Sequence, residues 1–132
     1  MTKKKDTGKI GWIELTVENA SELKDFYDQV TGWDSSAVSL GDYEDYCVMP
    51  PAIEGNPQDP VAGICHKRGE NSTMHSQWLM YINVDDLDES MASCQQLGGK
   101  IVTPVRSMWA YGRMCVIEDP AGAIVALIEP PE

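Results

Sequence analysis

Trp12-Ile13-Glu14-Leu15-Thr16-Val17-Glu18-Asn19 and, 67 residues further on, Leu79-Met80-Tyr81-Ile82-Asn83-Val84-Asp85-Asp86 are the stretches that decide the fold. Side-chain direction alternates along each, as in a strand, and each runs straight into a helix start. A near-repeat of this kind means that the chain is built twice over one plan. In the first copy Asn19 stands at the N-cap position with Glu22 three residues on. Leu23, Phe26, Tyr27 and Val30 then recur at spacings of three and four before Gly32. In the second copy Asp86 and Glu89 open the helix, Leu87, Met91, Cys94 and Leu97 form its stripe, and Gly98-Gly99 ends it.

Shorter strand-like runs follow each helix, separated by turn residues. They lie at Ala37–Leu40, Asp45–Met49 and Val61–Cys65 in the first half, and at Lys100–Thr103, Arg113–Glu118 and Ile124–Ile128 in the second. Each half therefore reads β-α-β-β-β, an α+β protein of two such modules. The Pro-rich stretch from Pro50 to Pro57 and the run Gly69–Gln77 read as loops, the second linking the halves. The expected organisation is a flexible tail over residues 1–9 and one domain over 10–130, with module one at 10–68 and module two at 77–130.

Length and composition agree with one globular domain: 132 residues, 42% apolar, 23% charged. No stretch approaches the roughly 20 consecutive apolar residues that span a bilayer. Ten Lys and Arg against 21 Asp and Glu give a formal net charge of −11, which repels nucleic-acid phosphates and anionic membranes and tolerates neutral or cationic ligands. Glu14 and Glu18 break any apolar run behind the Lys-rich start, so no export signal is read. Cys47, Cys65, Cys94 and Cys115 lack C-x-x-C spacing and are expected as free thiols in a reducing compartment, the cytoplasm.

Strand parity assigns faces. Ile13, Leu15 and Val17, like Met80, Ile82 and Val84, form apolar rows suited to lie under the helices. The alternate rows, Trp12, Glu14 and Thr16 or Leu79, Tyr81 and Asn83, are large and of mixed polarity, as a concave ligand-accepting surface requires.

Gly11-Trp12-Ile13-Glu14-Leu15, Phe26-Tyr27, Gly32-Trp33 and the run Gly112-Arg113-Met114-Cys115-Val116-Ile117-Glu118-Asp119-Pro120-Ala121-Gly122-Ala123 resemble the vicinal oxygen chelate superfamily of glyoxalase I, bleomycin-resistance proteins and extradiol dioxygenases. The resemblance covers roughly Ile10 to Pro130 and implies a fold of two βαβββ modules around a cup-shaped sheet, paired as a homodimer. It also implies a divalent metal held by His and Glu on cup-facing strands. Here the His positions fall on Trp12 and Leu79, the Glu position on Ala126, and the remaining carboxylate position on Val61–Cys65, which holds no Asp or Glu. Indole, isobutyl and methyl groups offer no lone pair to a cation, so no metal and no other cofactor is expected.

The expected ligand pocket is Trp12, Glu14, Leu79, Tyr81, Trp109, Tyr111, Met114 and Ala126. The expected function is binding of a small apolar or aromatic molecule, with resistance or sequestration as its purpose. The alternative is a glyoxalase-like lyase or isomerase with an unorthodox metal site or with Glu14 as catalytic base. Aromatics on sheets also serve plain packing, and Glu14 could equally be paired with a neighbouring donor. Arg113 is expected in a structural ion pair, His66 and His75 at the surface, and Asp42, Glu44 and Asp45 in a solvated turn.

Overall fold

The structure, a computed structural model, describes residues 5–55 and 57–132. Its elements are β1 (Ile10–Val17), α1 (Ala20–Thr31), β2 (Asp34–Ser39), β3 (Glu44–Met49), β4 (Ala62–His66), β5 (Trp78–Asn83), α2 (Leu87–Gln96), β6 (Lys100–Ser107), β7 (Arg113–Glu118) and β8 (Ile124–Glu129). Single 3-10 turns stand at Gly69–Asn71 and Trp109–Tyr111. The course is β-α-β-β-β twice, as the repeat predicts. The chain divides into two compact units, one of Ile13–Trp78 and one of Leu79–Glu132 together with the residues up to Trp12.

In the first unit the strand order is β2-β3-β4-β1. β1 and β4 run parallel, with Leu15 opposite Ile64, while β3 lies antiparallel to both β2 and β4. Leu15, Val17, Ala20, Val48, Ala62 and Ile64 form the core, closed by Ile13, Leu23, Tyr27, Trp33, Tyr46 and Trp78. Leu23 and Tyr27 are one helical turn apart, so one face of α1 meets the sheet. Trp78 donates its indole N–H to the Tyr27 hydroxyl at 3.0 Å and packs edge-on against both Tyr27 and Trp33. This aromatic corner fixes the end of the inter-module link to α1. Gly32, at φ 81°, turns the chain out of the helix and donates to the Asp28 carbonyl. At the other end Asn19 does not cap: its side chain accepts no backbone N–H of the first turn.

The second unit repeats the plan as β5-β8-β7-β6, with β5 parallel to β8. Leu87, Cys115 and Leu127 are its buried centre, packed by Ile82, Val84, Met91, Val105 and Ile117. Met80, expected under the helix, is 41% exposed instead, since this short cluster starts only at Ile82. Asp86 caps α2 by accepting from the Glu89 N–H at 3.1 Å, and Glu129 accepts from the Leu87 N–H at 2.8 Å. Arg113 binds the same Glu129 at 3.2 Å and also Asp88, the structural ion pair expected of it. β6 runs four residues beyond its expected end at Thr103. Pro104 has no N–H to pair, but β6 is the last strand of this order and bulges twice around it, with Thr103 Oγ1 taking the Val116 N–H at 2.9 Å.

Residues 1–4 of the expected tail lie outside the described residues. Of the rest, Gly8 donates to the Asn83 carbonyl and Lys9 accepts from the Asn83 N–H, which explains why the residues up to Trp12 group with the second unit.

Candidate functional site

In the second unit the sheet face turned away from α2 is set by register. Tyr81 pairs with Ala126, Ala126 with Val116, and Met114 with Ile128, so these side chains adjoin one another across β5, β8 and β7. Leu79, Tyr81, Met114 and Ala126, four of the expected pocket residues, are brought together here, and each is at most 5% exposed. Val116, at 2%, belongs to the same patch and was missed by the sequence reading. So was Arg106, half-buried and placed opposite Met114. Its alternation cannot be counted along β6 because the two bulges reset it.

Trp12 is half-buried on β1. Trp109 and Tyr111 are not gathered into the patch: they stand in the turn between β6 and β7, 81% and 74% exposed. Trp109 has φ 50°, an uncommon conformation for a bulky residue. Its N–H binds Ser107 Oγ, and its carbonyl accepts from Gly112. Gly112, at φ 106°, lies so close to the Glu129 carbonyl that a Cβ there would collide with it. A cavity of about 400 Å³ lies elsewhere in this unit, lined by Asp6, Thr7, Asn83, Val84, Pro130 and Glu132 among others, none of them expected pocket residues.

The first unit holds the remaining candidate, Glu14, in a different chemical setting. β1 and β4 pair so that Glu14 lies opposite Gly63 and Thr16 opposite Cys65. Thr16 and Cys65 are buried, and the Cys65 thiol donates to Glu14 Oε1 at 3.1 Å. Burial drives the Cys65 thiol far up from its ordinary range, and the Glu14 and Asp45 carboxylates drive it further. It stays a thiol and does not act as a thiolate nucleophile.

Asp45 is no solvated turn residue: its side chain is 14% exposed and accepts from the His66 N–H at 2.9 Å. His66 is likewise no surface residue. Its side chain is 17% exposed, with Nδ1 2.8 Å from the Glu44 carbonyl and 3.4 Å from Asp45, and its ring meets Tyr43 edge-on. His75 is exposed, as expected. All four cysteines are free.

The family-type metal does not fit this chain. Trp12, Leu79 and Ala126 supply no donor, and among the described residues no group of three or more His, Cys, Asp or Glu is arranged to hold an ion. No helix among the described residues is long and apolar enough to cross a membrane.

Comparisons with known proteins agree with the fold. The chain is 26% identical over 128 residues to CFP32 of Mycobacterium tuberculosis (strain CDC 1551 / Oshkosh), named as a candidate glyoxylase. The match takes in 95% of this chain and 45% of that protein. It is 25% identical over 127 residues to the anthracycline biosynthesis protein DnrV of Streptomyces peucetius, covering 91% of this chain and 46% of that protein. The chain thus spans about half the length of the curated relatives it matches. The crystal structure of methylmalonyl-CoA epimerase from Mycobacterium tuberculosis superposes with a TM-score of 0.54 at 17% identity, covering 100% of this chain and 94% of that one; this shows a shared fold. With the family model for the Glyoxalase/Bleomycin resistance protein/Dioxygenase superfamily matching residues 9–127, the chain belongs to that superfamily.

Proposed function

We propose that this chain binds a small apolar or aromatic molecule without the family's metal centre, as a cytoplasmic homodimer that sequesters its ligand in the manner of a bleomycin-resistance protein. One observation carries the reading. Two positions where the family places metal ligands, Leu79 and Ala126, are built into a continuous apolar patch with Tyr81, Met114 and Val116. Trp12 and the exposed rings of Trp109 and Tyr111 add flat π-surface in the same unit. The net charge of −11 favours a cationic ligand. The relative named for anthracycline biosynthesis supports a planar polycyclic one. Because the patch is closed to solvent, binding must displace side chains.

Doxorubicin, a planar anthracycline with an ammonium group, is the test ligand. The expected result is saturable quenching of its fluorescence and a raised Tm, both lost in Tyr81→Ala and both unaffected by chelators. No binding by doxorubicin or by a library of flat aromatic cations and neutral analogues would sink the proposal, as would stoichiometric zinc, nickel, manganese or iron in purified protein.

The hydrogen bond from Cys65 favours a second reading, a glyoxalase-like lyase or isomerase with Glu14 as base, because a carboxylate held by a donor is oriented for proton transfer. Turnover of the hemithioacetal of methylglyoxal and glutathione, abolished in Glu14→Gln, is its expected signature.

A further inference from the structure

We propose that Cys65 is a positioning residue for Glu14: its thiol acts as a hydrogen-bond donor that holds the carboxylate in one orientation. The inference rests on the second reading above for its catalytic meaning, but its geometry stands alone. Cys65 sits on β4 and Glu14 on the parallel neighbour β1, so backbone pairing sets their separation and the 3.1 Å contact does not depend on a flexible loop. Cys65 is 9% exposed, and Thr16, opposite it in register, is 3% exposed, so little water reaches the bond to compete. Asp45, on the other neighbouring strand β3, also interacts with the thiol and is the alternative acceptor for its single proton. Two carboxylates around one sulfur favour the protonated donor and disfavour its ionised form.

The sulfur is therefore not a spare nucleophile. A thiol is a weak donor, but a carboxylate acceptor strengthens the bond, and removing such a partner from a half-buried carboxylate costs about tenfold in whatever its orientation supports.

The S–H stretching band, read by infrared spectroscopy, tests the contact directly, with Cys65→Ser used to assign it. The Cys65 band is expected below those of Cys47, Cys94 and Cys115, moving up in Glu14→Gln. Side-chain NMR couplings of Glu14 test positioning. They should report one dominant rotamer in the wild type, a shifted rotamer population in Cys65→Ala, and the wild-type population again in Cys65→Ser, whose hydroxyl can donate. Any hemithioacetal turnover should fall about tenfold in Cys65→Ala and recover in Cys65→Ser. A band unshifted by Glu14→Gln, or Glu14 couplings unchanged in Cys65→Ala, overturns the inference. If Cys65→Ala does not fold, the band in the wild type and Glu14→Gln decides it. Absence of turnover in the wild type removes the second reading and leaves the positioning claim to the spectra.

Discussion

The two halves follow the same β-α-β-β-β course, yet the sheet faces away from their helices carry opposite chemistry. In the first unit that face presents Glu14, Thr16 and Cys65, joined by a thiol-to-carboxylate hydrogen bond. In the second it presents Leu79, Tyr81, Met114, Val116 and Ala126, a hydrocarbon and phenol patch. The helix-facing rows, in contrast, match: Leu15, Val17 and Ile64 in one, Ile82, Cys115 and Leu127 in the other. Duplication thus preserves the side that packs and leaves the other side to diverge. The proposed ligand site lies on the side that diverges, as expected when function is carried by residues grafted on a shared fold.

The sharpest way to break this contrast is to truncate the apolar patch. Met114→Ala removes a wholly buried side chain and should destabilise the protein by about 2–5 kcal/mol, read from the denaturant midpoint. Thr16→Ala on the polar face removes far less volume and is expected to cost about 1 kcal/mol. Equal losses would mean that the two faces do not differ in their mechanical role.

Glu129 sharpens the comparison from the helix side. Its carboxylate serves both the Leu87 N–H and the Arg113 guanidinium, so Glu129→Ala leaves a helix donor and a cation without it. A loss of about 2 kcal/mol is expected, smaller at high salt because Arg113 is partly exposed. A salt-independent loss would point to the cap as the dominant contribution.

The sequence made the helix-facing rows readable, since alternation and the i, i+4 stripe depend only on spacing. α1, α2, β7 and β8 fall within a residue or two of their expected bounds. The candidate site was legible only in part. Leu79 and Tyr81 emerge from parity, Ala126 from the family resemblance and Met114 from its place beside the β6–β7 turn, and the structure gathers the four. The Cys65–Glu14 bond spans 51 positions and depends on the parallel register of β1 with β4, which no local pattern encodes. Arg106 was hidden for another reason: counting faces along β6 fails once Pro104 forces a bulge. Asp42, Glu44 and Asp45 look alike in a row, but only tertiary pairing turns Asp45 inward to His66.

Thiols give the comparison a pH axis. Burial, with the neighbouring Cys94, pushes the Cys115 thiol up to about 11 from an ordinary 9.0. A group that binds its proton more tightly when folded contributes stability that is whole below the unfolded value and is lost as pH rises through the folded one. Stability should therefore fall between about pH 9 and pH 11. Cys115→Val, similar in volume and without a proton to lose, should flatten that limb in an alkaline melting series. Cys65, also raised, extends the decline to higher pH, so an unchanged limb in Cys115→Val would assign it to the first unit.

The smallest expected effect separates the two helix starts. Both Asn19 and Asp86 are good capping types, followed three residues on by Glu. Only Asp86 has extended backbone angles and accepts the Glu89 N–H; Asn19 sits at φ −107°, ψ 53° and points its amide to Glu22 instead. An N-cap works by taking a backbone proton that the helix cannot satisfy, so residue type without that geometry contributes little. Asp86→Ala should cost about 1 kcal/mol and Asn19→Ala only about 0.3 kcal/mol, measured by chemical denaturation. α1 tolerates an idle cap because Tyr27, Trp33 and Trp78 anchor its far end, whereas α2, with no aromatic in its packed cluster, relies on its first turn. Equal costs at the two positions would show that the helices are held in the same way after all. Combining Asn19→Ala with Trp78→Leu tests that dependence, because the cap should matter more once the aromatic corner is gone.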